Sequence, residues 1–191
     1  QHITKKVADK LQEMFKKDRG DFEKKWDDIN IFVKYGMISD EKFYDRAKEF
    51  SFFKTTQNKY YTFDEYRAYI KDLQTDKDGH IIHLYTSDPG KQHGFVEIAN
   101  RKAYDVLVLD GVLDSHFINT LEQKLDKCQF RRVDSDTIDK LIVKDEKVES
   151  VMSQADQEKL KALFVFFFNN PAMTVTVDSH APDYLPVTVT M

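Results

Sequence analysis

The sequence predicts an α/β protein: a helical segment, then a small three-layer αβα unit with a short parallel sheet, then the beginning of an α+β domain. Three observations lead to this prediction. Apolar residues recur at helical spacing from His2 to Phe53. Short apolar runs then alternate with helical segments, which is typical of parallel strands covered by helices. Beyond the charged stretch Lys144–Glu149, a helical pattern precedes two segments in which apolar and polar residues alternate.

Residues 1–75 are predicted to form the helical segment. A first helix carries an apolar stripe, and Asp18–Gly20 separates it from a second helix that Gly36 is expected to cap. Ser39 is expected to cap a third helix. The run Thr62–Glu65 has the spacing of a capping box, so a fourth helix should begin there. The apolar positions that define the helices are Ile3, Val7, Leu11, Met14, Phe15, Phe22, Trp26, Ile29, Val33, Phe43, Ala47, Phe50, Tyr66, Tyr69 and Leu73.

Residues 80–144 are predicted to form the αβα unit. Short apolar segments at His80–Tyr85, Asp105–Leu109 and Phe130–Val133 are the expected strands. Helical patterns lie between them, and Thr137–Val143 is expected to add a short helix. Because short strands with apolar residues alternate with helices, and Asp105–Leu109 is almost wholly apolar, the strands should pair in parallel, with helices on the faces of the sheet.

Residues 150–191 are predicted to begin a further domain, with Lys144–Glu149 as the boundary. A helix should carry Leu160, Leu163, Phe164 and Phe167, and two strands should follow at Met173–Val177 and Leu185–Thr190. The chain starts at Gln1 without an initiator methionine and stops at Met191 inside a strand pattern. We therefore expect it to be a piece of a longer protein.

The composition argues against several classes of protein. The 191 residues carry 29 Lys and Arg against 33 Asp and Glu, a net charge of −4, whereas a dedicated nucleic-acid binder should be basic. The longest apolar run, Ala162–Phe168, is far shorter than the roughly 20 residues of a membrane span. Cys128 has no second cysteine to pair with, which fits a reducing cytoplasm. We expect a cytoplasmic protein that binds neither nucleic acid nor membranes.

Two loops have some character of an ion-binding site. Asp76, Asp78 and Gly79 suggest a calcium loop, but the positions that should hold its first and last acidic ligands are Gln74 and Tyr85. A plain turn is the favoured interpretation. The run Asp88–Lys91 follows a strand and precedes a helix, where phosphate often binds, but it lacks a glycine-rich motif, so a helix-opening turn is favoured.

The histidines and the cysteine also give little indication of a metal site or a catalytic site. His80 and His83 are three residues apart, which on a strand places them on opposite faces, so they should not share a metal. Cys128 has no catalytic signature around it and is expected to be an inert thiol. The residue patterns predict no catalytic residue, no metal ligand and no cofactor-binding residue.

A more specific signal comes from several segments that occur in order along nearly the whole chain: His2–Lys10, Phe22–Trp26, Phe32–Gly36, Ala47–Thr56, Thr62–Tyr66, His80–Thr86 and Tyr104–Leu121. Together they closely resemble the middle segment of the heat shock protein 90 family of molecular chaperones. The last of them is most similar to the bacterial branch. A fainter match over Asp156–Thr190 corresponds to the start of the family's carboxy-terminal domain.

The resemblance implies a fold and a setting for this chain. In the family, the later part of the middle domain is a helical connector followed by a small αβα unit. The ATP-binding domain lies upstream, the arginine that reaches the γ-phosphate should lie shortly before His2, and the dimerising helices should lie beyond Met191. The parent protein should be an ATP-driven homodimeric chaperone that uses ATP and magnesium. This fragment should neither bind nor hydrolyse ATP.

The resemblance also implies where unfolded or partly folded client proteins bind. Family members contact clients partly through the helix after the second strand of the small unit, where Asp114, Ser115, His116 and Asn119 fall. Asp114 and Asn119 match the bacterial pattern, whereas Ser115 and His116 stand where an acidic residue and a tryptophan are common. These four residues are the predicted client-binding set. Their predicted partners within the parent chain are the ATPase domain and the dimerisation domain.

A second hypothesis is an autonomous nucleotide-binding or enzymatic α/β domain. Such proteins bind ligands at the carboxyl ends of their parallel strands. In this sequence those ends fall near Asp88 and Asp110–Gly111.

Overall fold

A computed structural model describes residues 2–144, 152–178, 187, 189 and 190. The described residues form two compact units. One contains the chain up to Val143 together with residues 189 and 190, and the other begins at Lys144.

The first unit opens with three helices: α1 (His2–Lys17), α2 (Arg19–Ser39) and α3 (Glu41–Ala47). Asp18 ends the first pattern as predicted, because its side chain accepts a hydrogen bond from the Asp21 amide at 3.0 Å and so caps α2. The prediction for the other end of α2 is wrong, since the helix continues past Gly36 to Ser39. The residue that caps α3 is Asp40, which accepts from the Phe43 amide at 3.0 Å, and not Ser39.

Packing explains the glycine that the sequence suggested as a cap. A Cβ atom built on Gly36 would lie 2.7 Å from the Phe43 ring. The glycine therefore lets the ring from α3 rest directly on the backbone of α2. Its role is a close approach between helices and not a helix end.

A β-hairpin follows where the sequence predicted only helices. Strands β1 (Phe52–Lys54) and β2 (Tyr60–Thr62) are antiparallel, with Phe53 opposite Tyr61. Both strands are aromatic-rich, and Asn58 adopts a positive φ of 57° in the turn between them. The prediction of a purely helical segment over residues 1–75 is thus wrong at the hairpin.

The predicted capping box is confirmed at the start of α4 (Phe63–Ile70). The Glu65 amide donates to Thr62 Oγ1 at 3.4 Å, and the Thr62 amide donates to Glu65 Oε2 at 2.8 Å. Glu65 also pairs with Arg19 at the start of α2. Hydrogen bonds from the Arg19 guanidinium and the Thr62 amide lower the pKa of Glu65 to about 2.

The predicted parallel sheet is confirmed. Strands β3 (Ile81–Thr86), β4 (Val106–Val108) and β5 (Cys128–Arg132) lie in the order β4-β3-β5, and both pairings are parallel. Helix α5 (His93–Arg101) connects β3 to β4, α6 (Asp114–Lys124) connects β4 to β5, and α7 (Ile138–Leu141) follows β5. The predicted α/β class is therefore correct.

One aromatic core joins the helices, the hairpin and the sheet. Phe53 lies 6.0 Å from Phe130 on β5, and Phe63 lies 6.2 Å from Phe117 on α6, measured between ring centroids. The hairpin is also bonded to the sheet, since the Thr56 amide donates to the Val106 carbonyl at 2.9 Å. Large side chains buried in this unit include Phe22, Phe50, Phe52, Tyr66, Ile70, Leu84, Leu107 and Leu121.

The second unit contains helix α8 (Gln154–Phe168). Ser153 caps its first turn, and Asn169 ends it in the left-handed conformation with φ 42°. The predicted strand at Met173–Val177 is wrong, because these residues have no regular structure. Alternation alone does not make a strand, which needs a neighbour for its backbone hydrogen bonds. The other predicted strand and the charged boundary fall largely outside the described residues.

Candidate functional site

Three of the four predicted client-binding residues lie together on the outer face of α6. Ser115, His116 and Asn119 are exposed, and their spacing puts them on one side of the helix. The opposite side packs into the core through Phe117 and Leu121, which are almost completely buried. The helix therefore has one face held by the core and one face open to solvent.

Asp114, the fourth predicted residue, is buried beneath this face. Its Oδ1 accepts a hydrogen bond from Lys34 Nζ of α2 at 2.5 Å, and its Oδ2 accepts one from the Gly111 amide at 2.9 Å. The ammonium of Lys34 also lies 5.6 Å from the centroid of the Phe117 ring. Asp114 thus fixes the first turn of α6 against α2, while its three neighbours carry the exposed surface.

Sequence reasoning missed Lys34, which holds Asp114 beneath this surface, and the exposed Val112. Lys34 is 80 positions away from Asp114, so no local pattern links the two residues. Val112 precedes α6, and 82% of its surface is exposed. No local signal marks this valine in the sequence, because single exposed apolar residues are common on protein surfaces.

The carboxyl end of β3, one of the strand ends that the second hypothesis uses, is filled by the chain's own side chains. Gln92 is buried there, and its Oε1 accepts from Thr86 Oγ1 at 2.6 Å. Its Nε2 donates to Asp134 Oδ2 at 2.7 Å, and the other oxygen of Asp134 accepts from Arg132 Nε at 2.5 Å. This network occupies the position where a phosphate or substrate would sit at the end of β3.

Asp88 forms a turn, as the favoured interpretation predicted. Its carboxylate accepts from the Lys91 amide at 3.0 Å, and Lys91 Nζ lies 3.2 Å from it. The backbone and side-chain groups of Lys91 lower the pKa of Asp88. Asp110, at the end of β4, is exposed instead. The structure therefore does not join the carboxylates of Asp88 and Asp110 in one hydrogen-bond network.

His83 and Cys128 are neighbours on adjacent strands, but burial keeps both uncharged. Cys128 Sγ lies 3.4 Å from His83 Nδ1. Burial lowers the pKa of His83 to about 4 and raises the pKa of Cys128 to about 12. At neutral pH this pair is a thiol beside a neutral imidazole, and not a thiolate with its base. His80 is half-buried and lies near Asp76, away from His83.

The loop with calcium-like spacing folds as a turn. Asp76 Oδ1 accepts from the amides of Asp78 and His80 at 2.9 and 2.8 Å, and Gly79 takes a φ of 82°. Gln74 is buried, where its amide group bonds to the backbone of Ile82. Across the described residues, no group of three or more His, Cys, Asp or Glu side chains is arranged to hold a metal ion.

The fold and this arrangement agree with comparisons to known proteins. The model of the Hsp90 protein family matches residues 1–180 of the chain. The chain belongs to the Hsp90 family. Chaperone protein HtpG of Bacteroides fragilis is 50% identical over 163 residues, and that of Porphyromonas gingivalis is 52% identical over 163 residues. Each alignment covers 85% of this chain and 24% of the relative, so this Hsp90-family chain spans about a quarter of the length of these chaperones.

A solved structure supports the same fold. The middle domain of a heat shock protein from Plasmodium falciparum superposes with a TM-score of 0.55, over 71% of this chain and 56% of that one. Its sequence identity of 16% makes this a similarity of fold alone. Within the part of the Hsp90-family chain that the structure describes, no helix is long and apolar enough to cross a membrane.

Proposed function

We propose that this chain is the part of an Hsp90-family chaperone that binds unfolded or partly folded client proteins on the outer face of α6 and couples that binding to ATP-driven closure. The observation that carries the proposal is the two-sided construction of α6. Ser115, His116 and Asn119 are exposed on a helix whose other side is fixed by the core and by the Lys34–Asp114 ion pair.

The composition of this face suits weak binding to many different clients. Val112 offers a small apolar contact, and the three polar residues beside it offer hydrogen-bonding groups. Without a large aromatic anchor at position 116, no single residue should dominate the affinity. We therefore expect weak binding that requires no particular client sequence.

Coupling requires that movement at one end of the unit reach the other end. The shared aromatic core and the Thr56–Val106 hydrogen bond join the helices, the hairpin and the sheet into one compact unit. We propose that residues 1–75 act as the connector of the middle domain, residues 80–144 as its αβα part, and residues 150–191 as the start of the carboxy-terminal domain. A movement of α1 and α2 would then be transmitted to α6 as a rigid displacement.

The wider setting is proposed from the family. The partners in the parent chain are an ATPase domain with ATP and magnesium, and a domain that forms a homodimer, all in the cytoplasm. The hydrogen bonds of Gln92 to Thr86 and Asp134, at the end of β3, support assigning the nucleotide to another part of the parent chain. We therefore propose that nucleotide binding belongs to the ATPase domain of the parent chain.

A titration followed by NMR tests the client face. Reduced, carboxymethylated α-lactalbumin is added to the labelled chain, and ATP with magnesium is added in a parallel experiment. We expect shifts centred on residues 112–121 with the unfolded protein and none with ATP. Shifts with ATP alone at the strand ends would instead support the autonomous nucleotide-binding domain.

A matched pair of variants makes the test residue-specific. Asn119→Ala should weaken binding of the unfolded protein about threefold, because it removes a hydrogen-bonding group from the face. Asn100→Ala is the control, since Asn100 is also exposed but lies on α5. Equal affinities for the two variants would remove Asn119 from the proposed face, and the same comparison with His116→Ala would decide His116.

A further inference from the structure

We propose that the groove at the amino-terminal end of α6 accepts a basic side chain of the bound client, and that Asp110 is the carboxylate that pairs with it. This inference rests on the proposed function, because the groove adjoins the first turn of α6, where Lys34 of its lining is bonded to Asp114. It adds a preference for arginine or lysine next to the client residues that α6 contacts.

The groove lies between α2, the first strand of the hairpin and the end of β4. Its volume is about 260 Å³, just below the roughly 300 Å³ at which pockets for small molecules begin. The space is large enough for one long side chain. The lining residues are Trp26, Asp27, Asn30, Lys34, Phe52, Phe53, Lys54, Val108, Leu109 and Asp110.

The charges around the groove leave one carboxylate unmatched. Lys54 Nζ is bonded to Asp27 Oδ2 at 2.5 Å, and Lys34 Nζ is bonded to Asp114 Oδ1 at 2.5 Å. Both lysines of the lining are thus neutralised by neighbouring acids. Asp110 is exposed and forms no ion pair with any residue that the structure describes. The unmatched charge at the mouth of the groove is therefore negative, which selects a cation.

An anion would not fit the same place, although a helix begins there. The Asp114 carboxylate already accepts the Gly111 amide and lies within the first turn of α6. A Cβ on Gly111 would lie only 3.2 Å from Asp114 Oδ2, so the turn is closed tightly around that carboxylate. The site that a phosphate or a client carboxylate would use is occupied by the chain itself.

Binding of two synthetic peptides tests the preference. Both are unstructured, fluorescently labelled and identical in their apolar residues, but one has a single arginine where the other has glutamine. Anisotropy titrations with the 191-residue chain at low ionic strength should give about threefold or tighter binding of the arginine peptide. The preference should shrink at high salt, because the groove is open to solvent.

Matched carboxylate variants assign the preference to the groove. Asp110→Asn should bring the two peptides to equal affinity while leaving the affinity for the glutamine peptide unchanged. Asp72→Asn removes the same charge from an exposed position after α4 and should keep the preference. A preference that persists in Asp110→Asn, or that disappears equally in Asp72→Asn, overturns the role of Asp110.

The outcomes separate this inference from the proposed function. Equal binding of both peptides by the unaltered chain, with Asn119→Ala weakening both, overturns the groove and leaves the client face in place. Failure of both peptides and of unfolded α-lactalbumin to bind overturns the client face and the groove together.

Discussion

Two buried aspartates show that burial by itself does not decide the cost of a charge. Asp114 and Asp105 are 3% and 4% exposed. Both oxygens of Asp114 are satisfied, one by the Lys34 ammonium and one by the Gly111 amide. Asp105 has no such cation: its Oδ1 accepts from the Tyr66 hydroxyl at 3.1 Å, and its Oδ2 has no hydrogen-bond partner among the described residues.

The pKa of Asp105 reflects this difference. Burial raises it to about 6, against the opposing effects of the Tyr66 hydrogen bond and the charge of Lys59. The groups near it on other elements are Tyr61 of the hairpin, whose pKa is raised chiefly by its own burial, and the uncharged Gln74, whose Oε1 accepts from the Asp105 amide at 2.6 Å. A buried carboxylate that is paired with a lysine thus holds two elements together. A buried carboxylate that is bonded only to a phenol carries an energetically unfavourable charge at neutral pH.

Removing the partner of the paired charge should have the largest effect. Asp114→Ala leaves Lys34 buried against the Phe117 ring without its carboxylate and also frees the Gly111 amide. We expect the free energy of unfolding to fall by about 3–5 kcal/mol, which urea denaturation measures. The double variant Lys34→Met with Asp114→Leu removes both charges and should recover most of the loss. A loss below about 1 kcal/mol for Asp114→Ala would mean that the ion pair does not hold α6.

Removing the charge of Asp105 should change the free energy of unfolding by a smaller amount and in the opposite direction. The folded-state pKa of Asp105, about 6, lies above the ordinary value of about 3.9. The folded state therefore binds the proton more tightly, so this group's stabilising contribution is complete below about pH 4 and is lost as the pH rises to about 6. Asp105→Asn should be about 1–2 kcal/mol more stable than the unaltered chain at pH 7.5, and the difference should decrease towards pH 4.

Thermal unfolding at several pH values, compared between the two chains, measures this effect. The comparison is necessary because Glu65 has the opposite dependence. Its pKa is lowered to about 2, so its contribution is lost as the pH falls from about 4.5. A difference between Asp105→Asn and the unaltered chain that does not change with pH would show that Asp105 stays charged in the fold.

Local patterns predicted the parts of the fold that depend on neighbours in sequence. The capping box at Thr62, the end of α1 at Asp18 and the three parallel strands all follow from residues a few positions apart. The hairpin was missed because its two short aromatic strands, Phe52–Lys54 and Tyr60–Thr62, are also compatible with a helical pattern. The cap expected at Gly36 was wrong because the packing of another helix, and not a helix end, requires that glycine.

The candidate site likewise has residues that local sequence predicts and residues that only the tertiary fold brings together. The exposed residues of α6 could be proposed from a family resemblance and their helical spacing. The partner of Asp114 could not, because Lys34 lies on a separate helix and only the tertiary fold brings it within 2.5 Å. The difference between an exposed Asp110 and a buried Asp114, four residues apart, likewise depends on the elements packed around them.

The smallest effect is expected where the charge pair is open to solvent. Arg19 and Glu65 each keep 41% of their side-chain surface exposed, so solvent should weaken their ion pair despite the lowered pKa of Glu65. Glu65→Gln preserves the capping geometry at Thr62 and removes only the charge. We expect a loss below about 1 kcal/mol in urea denaturation at low salt, and less still in 1 M sodium chloride.

Thr62→Ala is the control, since its loss of about 1 kcal/mol comes from a neutral cap and should not depend on salt. A salt-independent loss in Glu65→Gln as large as that of Asp114→Ala would show that exposure does not separate these pairs, and that the geometry of the carboxylate alone sets their strength.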